Sequence, residues 1–205
     1  MSKGKPPMNG DFDETGAFPG SEDNLFEFEA RGSVAASPSS TKEDWYHLIN
    51  GYKDAADFLV AHTAEARGDL RKLGNPIMFL YRHHLELALK DLIRDCRGLL
   101  RRNEIFPKTH RIDELWQVCC GLLHEISPGM SDNEEIQHTT RLLADFQKID
   151  PMSVAFRYPE DKDRNPPVLG EAAFDLSTLR DVLGKISLLL ECISEHVSTL
   201  EEHAF

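Results

Sequence analysis

Residues 79–90 read FLYRHHLELALK, an arginine and two adjacent histidines set inside a strongly apolar run. Apolar side chains recur every three or four positions through 76–102, the period of an amphipathic helix. Placed at 100° per residue with Leu85 as zero, Ile77, Tyr81, Ala88, Leu92, Cys96 and Leu99 fall between about −80° and +20°. On the same count Arg82 falls near about +60° and Glu86 near about +100°. His84 lies on the opposite border at about −100°, and His83 near about 160° beside Lys90, facing solvent. The arginine is therefore the polar residue turned furthest into the apolar stripe, flanked by Met78, Leu89 and Ile93. A guanidinium stays charged, so a semi-buried one must find acceptors. Glu86, four residues on, can bond it bidentately. Two uses follow: a clamp that fixes the packing of this helix, or a phosphate-binding or RNA-cleaving pocket pairing Arg82 with a histidine.

The neighbouring segments show the same helical period. TKEDWYHLINGYKDAADFLVAHTAEARG carries apolar residues at 45, 48, 49, 52, 55, 56, 59 and 60, with acids in the first turn. Asn75 and Pro76 suit the cap and first position of the second helix. THRIDELWQVCCGLLHEI begins close to a capping arrangement and places 112, 115, 116, 119, 122, 123 and 126 on one face. SPGMSD breaks it, and SDNEEIQHTTRLLADFQKID forms a shorter helix with core positions 136, 142, 143, 146 and 149. Asp175 caps a long last helix.

Between these last two lies PMSVAFRYPEDKDRNPPVLGEAAF, 24 residues with four prolines and no helical period. A loop of that length in a compact domain is functional or disordered as a rule. VAFRYP and VLGEAAF are β-like and suit a small hairpin across the DKDRNPP turn. Tyr158 precedes Pro159 and is biased to extended backbone, so Arg157 projects differently from it. Arg157 and Tyr158 either pin this arm to the bundle, with Phe156 buried, or add a second phosphate contact beside Arg82.

The fold class is thus all-α: a five-helix bundle over residues 41–205 with one long irregular arm before the last helix. Residues 1–40, rich in Gly, Ser, Pro and acids, read as a disordered tail. No apolar run is long enough to cross a membrane, and MSKGKPPMNGDFDE lacks the apolar stretch of a secretory signal, so a cytoplasmic protein is expected. The last helix is apolar on much of its circumference (Leu183, Ile186, Leu188, Leu189, Leu190, Ile193), which places it centrally or across a homodimer interface.

The net charge of −12 argues against nonspecific nucleic-acid binding. Its distribution is uneven: residues 70–111 hold ten Lys/Arg against four acids, and residues 112–150 two against eight. Helices of opposite charge facing each other or water account for this, and a basic face toward RNA is the alternative. The four cysteines fall in helical apolar patterns and read as reduced core residues. Cys119 and Cys120 point about 100° apart, which suits neither a bridge nor a shared metal. Glu135–His138 and Cys120–His124 each lack a second ligand pair, so no metal is expected. No cofactor motif is present.

The order of these segments, with PIMFLYRHHLELALK, THRIDELW and IDPMSVAFRYPED, resembles uncharacterised bacterial proteins of the HEPN-like helical class over about residues 41–200. That resemblance implies a four-to-five-helix bundle, often dimeric. Many such proteins are metal-independent ribonucleases in phage-defence or toxin–antitoxin systems, and others are non-catalytic RNA-binding or scaffold modules. The ribonuclease signature, an arginine and a histidine separated by four to six residues, is absent here; the nearest pair, Arg102 and His110, has seven between. The expectation is a non-catalytic module acting through dimerisation and through RNA or a defence-system protein partner. The alternative is a divergent endoribonuclease with Arg82 and either His83 or His110 as catalytic groups. Glu86, Arg157 and Tyr158 would contribute binding.

Overall fold

Five α-helices follow one another in the computed structural model: α1 (Lys42–Ala66), α2 (Leu70–Leu99), α3 (Ile112–Ile126), α4 (Glu134–Ile149) and α5 (Leu176–His203). The structure describes residues 42–66, 70–103, 107–130, 133–151, 153–158, 160, 163 and 175–203. Among these no strand occurs. The segment expected to be a disordered tail lies outside the described residues.

Helix α2 is the hub, packing on α1, α3 and α5, while α4 packs on α3. Of the apolar stripe read from the sequence, Ile77, Tyr81, Leu85, Leu92 and Cys96 are buried and Ala88 and Leu99 partly so, while Leu89 and Ile93, which flank Arg82, are fully buried as well. Expected faces on the shorter helices hold as well, with Ile112, Leu115, Trp116, Cys119, Leu122 and Leu123 buried on α3. On α4, Ile136, Leu143 and Phe146 are buried. Polar side chains fix the seams between helices. The Tyr81 hydroxyl donates to Asp57 Oδ1 at 2.6 Å, joining α2 to α1. The Trp116 ring N–H donates to Thr140 at 2.7 Å, joining α3 to α4.

Three boundaries show how the helices start and stop. Helix α2 does not begin at Pro76. It runs back to Leu70 with Pro76 inside it. A proline removes one hydrogen bond and bends a helix without always ending it, and Leu73 packs on the core to hold the preceding turn. At the other end, Arg102 N–H donates to Arg97 O at 2.8 Å and Arg101 N–H to Gly98 O at 2.9 Å. Arg101 takes a left-handed backbone there, φ 55°, the paired closure that usually has glycine at this position. Helix α5 is capped as expected: Asp175 Oδ1 accepts the Ser177 and Thr178 N–H groups at 2.7 and 3.1 Å.

The arm differs from its expectation. Residues 154–158 form a turn instead of a strand, with Arg157 and Tyr158 N–H both reaching Val154 O at 3.0 and 3.2 Å. Helical-sense closure there leaves no extended edge for a hairpin. The other half of that hairpin, VLGEAAF, lies outside the described residues. All four cysteines are free, Cys96 and Cys119 buried and Cys192 exposed.

Candidate functional site

Arg82 is 3% exposed and every nitrogen of its guanidinium faces an acceptor. Nη2 donates to the His110 carbonyl at 2.7 Å. Nη1 donates to Glu86 Oε2, one turn along α2, at 3.4 Å. Nε lies 2.8 Å from Asp150 Oδ2, an ionic contact not aligned as a hydrogen bond. One cation thus ties α2 to the loop before α3 and to the end of α4. Burial lowers the Arg82 pKa, while Asp150 and Glu86 act the other way; an arginine so paired remains a cation.

Both acids have further partners. Glu86 Oε1 accepts Lys90 Nζ at 2.7 Å and His110 Nδ1 at 2.8 Å. Burial alone would raise the Glu86 pKa, but hydrogen bonds from Lys90 and His110 outweigh it and hold the carboxyl below its usual range. Being ionised, Glu86 can only accept, so His110 carries its proton on Nδ1 and turns Nε2 outward. The His110 ring is 71% exposed. Asp150 Oδ1 accepts the N–H groups of Val154 and Ala155 at 2.8 and 3.0 Å. Gln147 adds a second stitch: its Oε1 accepts the Ile112 N–H that opens α3, at 3.0 Å, and its Nε2 donates to Pro151 O at 2.8 Å.

The arm is pinned to this cluster. Phe156 is buried against Phe146, ring centroids 6.2 Å apart and edge to face. Ser153, left-handed at φ 60°, donates from Oγ to the His110 carbonyl at 3.2 Å. Arg157 folds back on the arm itself, donating from Nε to Ser153 O at 2.8 Å and from Nη2 to the same oxygen. It is exposed, and its charge is felt at Arg82, whose pKa it helps to lower. Tyr158 is 57% exposed. The arm is therefore held by Phe156, Asp150 and Ser153, and not by an arginine–aromatic contact of Arg157 with Tyr158.

The two histidines of the opening motif lie elsewhere than the wheel put them. His83 does not face solvent. It is half-buried, edge-on to Tyr52 with centroids 4.5 Å apart and parallel to Phe79 at 5.8 Å. His84 is not a border residue but 2% exposed. Its Nδ1 meets the Ile49 carbonyl at 3.0 Å and its Nε2 meets Ser187 Oγ at 2.7 Å, so it bridges α1, α2 and α5. A carbonyl only accepts, so Nδ1 holds a proton, while the single Ser187 hydroxyl hydrogen lies between His84 Nε2 and the Leu183 carbonyl, 2.9 Å from Oγ. Burial lowers the pKa of both histidines.

No family model, curated protein or solved structure matches this chain. Function must be argued from geometry. Of the sequence-derived site residues, Arg82, Glu86 and His110 come together. His83 packs on Tyr52 and Phe79 but feels the charges of Glu86, Lys90, Arg82 and His110. The Arg157 charge acts on Arg82, and Tyr158 is exposed. Asp150, Gln147, Lys90 and Ser153 belong to the cluster and were not foreseen. Asp150 left one trace in the sequence, an acid at the end of a helix, where the dipole disfavours it. Among the described residues no group of three or more His, Cys, Asp or Glu is disposed to hold a metal ion.

Besides Arg82 and Lys90, three cations of the basic stretch 70–111 pair with nearby acids. Arg102 pairs with Glu125 at 2.6 Å, across from α2 to α3. Arg111 pairs with Asp113 at 2.7 Å and with Glu114 at 3.0 Å. Arg94 lies 3.2 Å from Asp95, contacts Asp91 at 2.5 Å, and sits over the Trp45 ring at 5.4 Å.

Proposed function

We propose that the chain is a non-catalytic helical module of the HEPN-like kind that works by engaging a partner, in the first place a second copy of itself. The observation that carries this reading is the guanidinium of Arg82, whose three nitrogens are all occupied by internal acceptors. A transition-state cation has to offer donors to the developing phosphate charge, and this one is 3% exposed with each nitrogen already set against an internal acceptor. His83 is half-buried against Tyr52 and Phe79, and burial lowers its pKa although it lies close enough to Glu86 and His110 to feel their charges.

Pairing of Arg94, Arg102 and Arg111 with acids favours a protein partner over RNA, because a phosphate must displace those acids to bind. Large apolar side chains left outside the core supply contact surface: Tyr46 on α1 and Leu188 on α5 are each 61% exposed. A homodimer through α1 and α5 buries them. The defence or toxin–antitoxin setting that the resemblance implies goes with this reading.

One specific observation favours a second reading. The Glu86 carboxylate holds Nδ1 of His110 at 2.8 Å while the side chain is 71% exposed, a carboxylate–histidine arrangement of the kind that orients a general base. In that case the endoribonuclease uses His110 without Arg82. Incubating the purified chain with mixed RNA separates the two. Intact RNA and a dimer by light scattering at micromolar concentration fit the module. Cleavage that disappears in His110→Ala would overturn it in favour of the nuclease. A monomer unaffected by Leu188→Glu would remove the dimer.

A further inference from the structure

Helices α4 and α5 both lean on the rest of the bundle, α4 through α3 and α5 through α2. Between them a slot of about 350 Å³ remains. Its floor is Met78 and Leu85 from α2, and its inner walls are Leu143 and Phe146 from α4 with Leu183 and Ile186 from α5. None of these six is more than 6% exposed. The slot opens to solvent beside Asp145, Asp175 and Thr178, and its volume falls in the range of small-molecule sites, about 300–1,000 Å³.

Depth and width decide what fits. The inner residues are at most 6% exposed, which suits a slender occupant. The inner lining is aliphatic apart from one phenylalanine and a methionine, which suits a hydrocarbon chain. Polar groups stand on the lining only as Asp145, Asp175 and Thr178. Asp145 is already shared between Arg141 at 3.5 Å and Lys148 at 2.9 Å. Asp175 holds the N-terminus of α5 through Oδ1, so the place where an anion would sit at that helix end is filled by the protein's own carboxylate. An incoming carboxylate would meet its charge, whereas a hydroxyl or ammonium would meet an acceptor.

We infer that the α2–α4–α5 slot binds a small aliphatic molecule whose one polar end is a hydrogen-bond donor, an alcohol or amine and not a carboxylate, received by Asp175. This site is separate from the Arg82 cluster and does not depend on the dimer.

The test is calorimetric titration of the full chain with decanol, decylamine and decanoate, each below its micelle concentration. Decanol and decylamine bind saturably at one site per chain, and decanoate binds at least about tenfold more weakly, the equivalent of one unfavourable charge contact. Leu179→Trp, which fills the slot from a partly buried wall position, abolishes binding, and Val182→Phe does the same if the tryptophan variant does not fold. Asp175→Asn keeps the helix cap but narrows the gap between decylamine and decanoate. The inference is overturned by absence of saturable binding for all three probes, by decanoate binding as tightly as decylamine, or by binding that survives both filling variants. It is also overturned if affinity falls as protein concentration rises, because a second copy then occupies the slot, or if Asp175→Asn leaves the gap unchanged.

Discussion

Replacing Arg82 by methionine keeps most of the side-chain volume and removes the charge that three chain segments share. Glu86 and Asp150, with side chains 6% and 2% exposed, are left as buried carboxylates. Removing one partner of a buried pair costs about 3–5 kcal/mol. Here the loss lies at the lower end, about 3 kcal/mol, because Glu86 keeps Lys90 and His110 and Asp150 keeps two backbone N–H groups. Against a typical domain stability of about 5–15 kcal/mol that is a large fraction. Urea unfolding followed by the fluorescence of buried Trp116 reads it as a lower midpoint with unchanged slope. Combining Arg82→Met with Asp150→Asn should cost less than the sum of the single changes, by about 1–2 kcal/mol. Arg82→Lys should recover little, since one ammonium cannot span three acceptors in the same directions. A loss below about 1 kcal/mol, the worth of an exposed pair, together with additive double variants, would refute the clamp.

Further predictions concern the arm, the buried histidine and the end of α2. Phe156→Ala, by losing its contact with Phe146, should cost about 3 kcal/mol and strip hydrogen-exchange protection from Val154 and Ala155; unchanged protection would show that Phe156 does not hold the arm. His84 is neutral between the Ile49 carbonyl and Ser187, with its folded pKa below the ordinary value of 6.5. The unfolded chain therefore takes up the proton first, so stability is fully present above pH 6.5 and falls as pH drops below it. Glu86, held below its ordinary 4.5, adds to the same acid-side loss only at lower pH. In His84→Asn the first part of that decline, measured by urea midpoints across pH, should shrink to the share that His83, also lowered by burial, contributes. Arg101→Gly relieves the left-handed residue closing α2 and should raise stability by about 0.5–1 kcal/mol, read as a higher melting temperature.

Periodicity made the helices legible because burial on α3 and α4 is one-sided, and one stripe per helix is what a wheel can show. The same wheel misplaced His83 and His84 because α2 is enclosed by α1, α3 and α5 together. A helix surrounded on three sides has no single stripe, so residues at the border of the apolar arc are also covered. His84 keeps its place through an acceptor on α1 and a hydroxyl on α5, partners 35 and 103 residues away in the chain, which local sequence cannot reveal. Arg82 was readable as inward-facing, and Glu86 as its neighbour, because both lie on one helix. Asp150 and the His110 carbonyl were not, since they depend on how the end of α4 and the start of α3 meet. The arm shows a different limit: VAFRYP has β-forming side chains, but Asp150 gathers the Val154 and Ala155 N–H groups and turns the backbone inward before a strand can start.

Exchange of the Arg82 guanidinium hydrogens, followed by nitrogen-15 NMR, probes the clamp without disturbing it. With its nitrogens facing Glu86, Asp150 and the His110 carbonyl, those hydrogens should exchange only when the bundle opens, far more slowly than the hydrogens of exposed Arg157. Exchange of Arg82 as fast as that of Arg157 would place the guanidinium in water and contradict the account.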